Sequence, residues 1–189
     1  MINYGLILSK KEKDNPNPFL RATYLFGNVG KIIRTYGRSV RFPEDSRLYL
    51  AEIKTDLGDA IMQLRLIEVE YGIQGFDYPS LGQPSFNPTL LCSSESLIYH
   101  SYNSGVIWHP QNTLNQQLSQ LASACSKILL LMSGDSICIS RDFIQVVIDA
   151  EALIYQICLS FRWDFYDVEH LGFIHTIDCY EGWWLNADK

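Results

Sequence analysis

The amino-acid sequence predicts an all-α protein, a helical bundle built from two related helical repeats packed as a pseudo-dimer. Apolar residues recur at spacings of three and four along four long segments. Pro, Ser, Thr and Gly stand where those segments need starts and stops. The same order of segments then occurs twice, as a shorter helix, a loop with Gly, a longer helix and an aromatic tail.

Residues 1–15 read as a short strand or extended arm that ends in a polar break. Pro16 and Pro18 suit the first turn of a helix, which continues through Phe19, Ala22, Leu25, Phe26, Val29, Ile32 and Ile33 and is expected to end at Gly37. Pro43 and Ser46 open a longer helix carrying Leu50, Ile53, Leu57, Ala60, Ile61, Leu64 and Ile67, closed by Gly72. Residues 75–112 hold repeated Gly and Pro and read as a connector, with a short helix at most from Leu90 to Tyr102. Helical periodicity resumes at Thr113 through Leu114, Leu118, Leu121, Cys125 and Ile128, and stops near Gly134. Ser140 starts another long helix through Val147, Ala150, Ile154, Ile157 and Phe161, and Asp167 to Leu171 suggests one short helix in the tail.

The two halves align residue by residue. LFGNVGKII from Leu25 sets against LASACSKIL from Leu121, and TDLGDAIMQL from Thr55 against IDAEALIYQI from Ile148. GFDYPSLG, ending at Gly82, sets against FYDVEHLG, ending at Gly172. Lys31 matches Lys127, Asp56 matches Asp149, and Gln63 matches Gln156. The organisation is therefore 1–74 as the first repeat with its arm, 75–112 as connector, and 113–189 as a second, more diverged repeat sharing one core.

Hydrophobic residues make up 47% of the 189, enough for a packed core. A net charge of −6 argues against general nucleic-acid binding or adhesion to an anionic membrane surface. The basic residues that cluster are Lys31, Arg34, Arg38 and Arg41, with a smaller group at Lys10, Lys11 and Lys13. Either group can be a solvated helix face or a phosphate contact. Five cysteines without CxxC or paired spacing point to free thiols in a reducing cytoplasm. The apolar run at the N-terminus is short for a signal sequence, and the longest apolar stretch, Phe143 to Phe161, is interrupted by Gln145, Asp149, Glu151 and Gln156, so no membrane span is expected.

The chemistry-bearing feature is a carboxylate stripe. Glu52, Asp56 and Asp59 stand at i, i+4 and i+7, within about 40° of one another around a helix. Gln63 continues the line, and the apolar face begins beside it, whereas Lys54, Met62 and Arg65 lie away from it. Crowded carboxylates next to a core repel one another unless compensated. Mg²⁺, a hard cation that takes oxygen ligands and bridges to phosphates, is one compensator; lysines and arginines from the first helix are another.

On these residues the chain resembles the all-α NTP pyrophosphohydrolases of MazG and dimeric-dUTPase type. Asp56-Leu57-Gly58-Asp59 is similar to that family's E-x-x-D motif, and Phe26-Gly27 sits where its E-x-x-E motif carries an apolar-Gly pair. The resemblance covers residues 19–74 and, more faintly, 114–173. It implies Mg²⁺ held by Glu52, Asp56 and Asp59, substrate contacts from Asn28, Lys31 and Arg34, and hydrolysis of a nucleoside triphosphate to the monophosphate and pyrophosphate. The departures are specific. Leu25 and Asn28 occupy the positions of the first motif's two carboxylates, and the second repeat has Leu121, Ala124, Asp149 and Ala152 at the four positions, with Gln145 where Glu52 stands. An eroded site favours a noncatalytic nucleotide-binding or interaction module; the alternative is an active Mg²⁺-dependent pyrophosphohydrolase, and a third reading is a purely structural helical protein. Lys31, one turn beyond Asn28, is expected to neutralise Asp56 or Asp59.

No other motif carries comparable weight. His100, His109, His170 and His175 lack ligand-like partners at shared spacing, with His170 and His175 expected in a turn. Ser94, Ser104 and Ser140 have no nucleophile context. Trp108, Trp163, Trp183 and Trp184, with Tyr155, Tyr166 and Tyr180, read as core or interface residues, and the Trp183-Trp184 pair suggests a docked tail or a surface for a protein partner or homo-oligomer.

Overall fold

The computed structural model describes residues 4–11, 18–73, 113–133 and 140–187, and among them the chain is all-helical. Helix α1 spans Tyr4–Lys11, α2 Pro18–Arg41, α3 Ser46–Tyr71, α4 Leu114–Met132, α5 Arg141–Ser160 and α6 Phe165–Ala187, with a 3-10 turn at Pro43–Asp45. The expected connector helix at Leu90–Tyr102, the residues Lys13, Cys92, His100, His109, Trp108 and Cys138, and the loop glycine Gly134 lie outside the described residues. So do the side chains of Lys10, Lys11, Cys179, Tyr180, Trp183 and Trp184.

Caps set the ends. Thr113 forms a capping box with Gln116: its hydroxyl accepts from the Gln116 N–H, while the Gln116 side-chain oxygen accepts from the Thr113 N–H at 2.8 Å. Ser140 Oγ accepts from the Phe143 N–H at 3.1 Å to open α5. Asp164, just before α6, accepts from the Tyr166 N–H at 2.9 Å. Gly72 closes α3 with φ of 63°, the left-handed conformation in which glycine carries no Cβ penalty.

Three expectations are corrected. The N-terminal arm is a helix, not a strand or extended segment. Eight residues make a marginal helix alone, but α1 lies against α3 with Leu8 fully buried. Gly5 allows that approach, since a Cβ there would stand 2.6 Å from the Arg65 carbonyl oxygen. Helix α2 runs past Gly37, at a propensity cost of about 1 kcal/mol, and stops where Phe42 precedes Pro43, a position that disfavours helical backbone. The short helix expected at Asp167–Leu171 is one of 23 residues, and His170 and His175 lie on it rather than in a turn.

Helix α3 is the hub. It packs against α1, α2, α5 and α6, while α2 packs on α4 and α4 on α5. Leu25, Val29 and Ile32 of α2, Ile53, Leu57, Ile61 and Leu64 of α3, Leu121 and Ile128 of α4, and Val147, Ile154 and Ile157 of α5 form one buried core. Cys125 and Cys158 are free and buried within it, and burial pushes both thiols up to about 12, so they serve as small apolar fillers. Helix α5 is long and apolar enough to cross a membrane by length and composition, and most of it is packed inside the bundle.

Helices α3 and α6 touch backbone to backbone. A Cβ on Gly172 would stand 2.2 Å from the Gly58 carbonyl carbon, and a Cβ on Gly58 would stand 2.7 Å from both the Gly172 nitrogen and the Val168 carbonyl oxygen. No side chain can swing aside there, so the helices must separate to admit a methyl group. We therefore expect Gly172→Ala to lower stability by about 3 kcal/mol in urea unfolding, the upper part of the usual range for overpacking. Gly30→Ala, on an open face of α2 where a Cβ meets nothing within 4 Å, should instead raise it by roughly 0.5–1 kcal/mol.

Candidate functional site

The carboxylate stripe lies along the face of α3 that neighbours α2. Glu52 is exposed and Asp56 and Asp59 are half-buried, which places the stripe at the edge of the core as its spacing predicts. On α2, Asn28 and Leu25 are buried and Lys31 and Arg34 are exposed. Burial pushes the Asp56 carboxyl above the ordinary aspartate range; Lys31 pulls it back, Asp59 and Glu52 push it further up, and Arg34 pulls it back again. Five of the six residues singled out by sequence thus share one electrostatic neighbourhood centred on Asp56. The sixth, Asn28, makes no hydrogen bond to these carboxylates among the described residues.

Lys31 acts on Asp56 through space; among the described residues no ion pair joins it to Asp56 or Asp59. Asp59 is engaged from another direction. Its Oδ1 lies 2.8 Å from Nδ1 of His175 on α6, a histidine 46% exposed. Among the described residues no three His, Cys, Asp or Glu side chains converge in the manner of a metal site. The arrangement offers two solvent-facing cations beside a half-buried acid.

A second ionic group lies deeper. Arg65 Nη1 donates to Glu68 Oε2 at 2.8 Å and stands 2.7 Å from Glu151 Oε1 as an ion pair, and its Nε donates to Glu169 Oε1 at 2.6 Å. Arg65 was expected to lie away from the apolar face, and Met62 with it. Instead Met62 is fully buried and Arg65 stands among α3, α5 and α6, with the Phe165 ring 5.9 Å from its guanidinium. The apolar pattern of α3 marks only the face toward α2; α6 covers another. The sequence did hold one signal for this cluster. Asp149 and Glu151 sit inside the long apolar helix α5, and charges there need partners. Asp149 has Gln145 at 3.0 Å, and Glu151 has Arg65.

No family model, curated protein or solved structure matches the chain.

The Asp56 shift has a signed consequence. A carboxyl whose folded value is raised favours the fold below its unfolded value, and that contribution is lost as pH rises through the folded one. At neutral pH the charged carboxylate is a liability, so Asp56→Asn should leave the melting temperature unchanged or raised at pH 7. The gap between variant and parent should close on acidification. A melting temperature lowered at pH 7 and restored in acid would show instead that Asp56 is held charged by a cation.

Proposed function

We propose that the chain is a MazG-like helical module that binds the phosphates of a nucleotide through Lys31 and Arg34 and does not hydrolyse it. The observation that carries this reading is the pair of exposed cations on α2, held in no ion pair among the described residues, set beside the acidic edge of α3. Phosphate oxygens are the natural partners of such a pair, since Arg binds them through a planar fork and Lys as a point charge.

The reading against catalysis rests on donor chemistry. In the resembling family four carboxylates hold Mg²⁺, which orients the substrate, polarises phosphoryl oxygens and activates water. Here two of those positions are Leu25 and Asn28, both buried, and Asp59 is already bonded to His175. Glu52 and Asp56 remain as the carboxylates to which Mg²⁺ could be drawn.

The pseudo-dimer reading is supported by the pattern of packing, in which α2 meets its counterpart α4 and α3 meets its counterpart α5. In this reading the second repeat is structural, because Leu121 and Ala124 fill its ligand positions and Asp149 is turned to Gln145. The buried free thiols of Cys125 and Cys158 support a reducing, cytoplasmic setting.

Thermal unfolding with a panel of nucleoside triphosphates, with and without Mg²⁺, tests this function, because a ligand that binds only the folded state raises the melting temperature. The expected outcome is a rise for at least one triphosphate with no release of pyrophosphate, abolished by Lys31→Ala combined with Arg34→Ala. A rise accompanied by pyrophosphate would favour an active Mg²⁺-dependent pyrophosphohydrolase, and no rise across the panel would favour a structural role.

A further inference from the structure

The Arg65 cluster sets three carboxylates against one guanidinium in the interior. The side chains of Glu68, Glu151 and Glu169 are 5%, 1% and 6% exposed. Fully ionised, the group would carry two negative charges beyond what Arg65 neutralises, in a place where water cannot screen them. Glu68 Oε2 and Glu151 Oε1 lie 2.8 and 2.7 Å from the same nitrogen, Arg65 Nη1, so the two acids are immediate neighbours. One nitrogen between them holds those two oxygens within about 5.5 Å of each other. Two ionised carboxylates are both acceptors, and a bond between them requires a proton. Glu68 Oε1 is buried and meets no N–H or O–H donor, which makes it the oxygen to which such a proton belongs.

We propose that Glu68 and Glu151 hold one proton between them in the folded protein, making this junction a proton-dependent lock that fastens α5 and α6 onto α3 and loosens as pH rises. The groups facing the pair are Arg65 from α3 itself, Glu151 from α5 and Glu169 from α6; from α1, Tyr4 lies near Glu169, with its hydroxyl 2.9 Å from His170 Nδ1. Burial pushes the Glu68 carboxyl up against the pull of Arg65, and Glu169 pushes the same way. The proton belongs to the pair rather than to one residue.

The linkage has a definite sign. The folded pair keeps a proton that the unfolded chain gives up above the ordinary glutamate range. Its contribution is complete below that range and is lost as pH rises through the folded value. In that window the unfolding equilibrium constant rises by up to about tenfold per pH unit, the limit for one proton. Glu68→Gln replaces the shared proton with a permanent amide donor. It should fold at neutral pH with stability equal to or above that of the parent and lose one proton's worth of this slope between mildly acidic and mildly alkaline pH.

Infrared difference spectroscopy on the full chain, labelled with ¹³C at the glutamate carboxyls so that Asp56 is silent, reads the proton directly and requires no variant. The expected result is a protonated-carboxyl band at neutral pH that titrates away in alkali and is absent from Glu68→Gln and Glu151→Gln. No such band in the parent at neutral pH, or parallel stability profiles for the parent and a folded Gln variant, would overturn the proposal.

Discussion

The contact between Gly58 and Gly172 is the constraint on which the rest depends. It lets the backbones of α3 and α6 meet with no side chain between them, and it fixes their register. Asp59, one residue after Gly58, meets His175, three residues after Gly172; Arg65, seven residues after Gly58, meets Glu169, three residues before Gly172. Sequence order along α3 is thus opposed to that along α6, and the helices run antiparallel about one crossing. Each polar contact between these helices is placed by that crossing. Separated by the width of an alanine methyl, they would lose the geometry of short ionic contacts on both sides together.

The crossing also explains why α3 tolerates so much charge. Helix α3 packs against α1, α2, α5 and α6, yet it carries Glu52, Asp56, Asp59, Arg65 and Glu68. These charges are sorted by depth. At the α2 edge, Asp56 is half-buried and balanced at a distance by Lys31 and Arg34. At the α5 and α6 side, Arg65 faces three acids through Nε and Nη1. The proposed binding face and the proposed proton lock therefore occupy different sides of α3, joined through that helix and through α6, which carries both His175 and Glu169.

The sequence displayed the parts of this fold that depend on local pattern. Ser140, Thr113 and Gly72 mark helix ends through capping chemistry that needs no tertiary context. The three-four spacing located α2 to α5, and the i, i+4, i+7 stripe placed Glu52, Asp56 and Asp59 at the border of the core. What stayed hidden depends on contacts between distant segments. Helix α1 exists because Gly5 and Leu8 dock on α3, and α6 exceeds its local signal because Gly172 finds Gly58. Arg65 and Met62 fall outside the one amphipathic stripe that the spacing displays, and they are covered because α3 is packed on further sides. His175 likewise has no neighbour in sequence that points to Asp59, which is 116 residues away.

The most direct measurement of the account is the proximity of two glycines. In a sample labelled at glycine, which supplies 12 residues of the 189, NMR should show a strong nuclear Overhauser effect between the Hα protons of Gly58 and Gly172. Such an effect places the two backbones in contact, as the crossing requires. Its absence, with both resonances assigned and the protein folded, would mean that α3 and α6 do not meet there, and the register that positions Asp59 with His175 and Arg65 with Glu169 would be wrong.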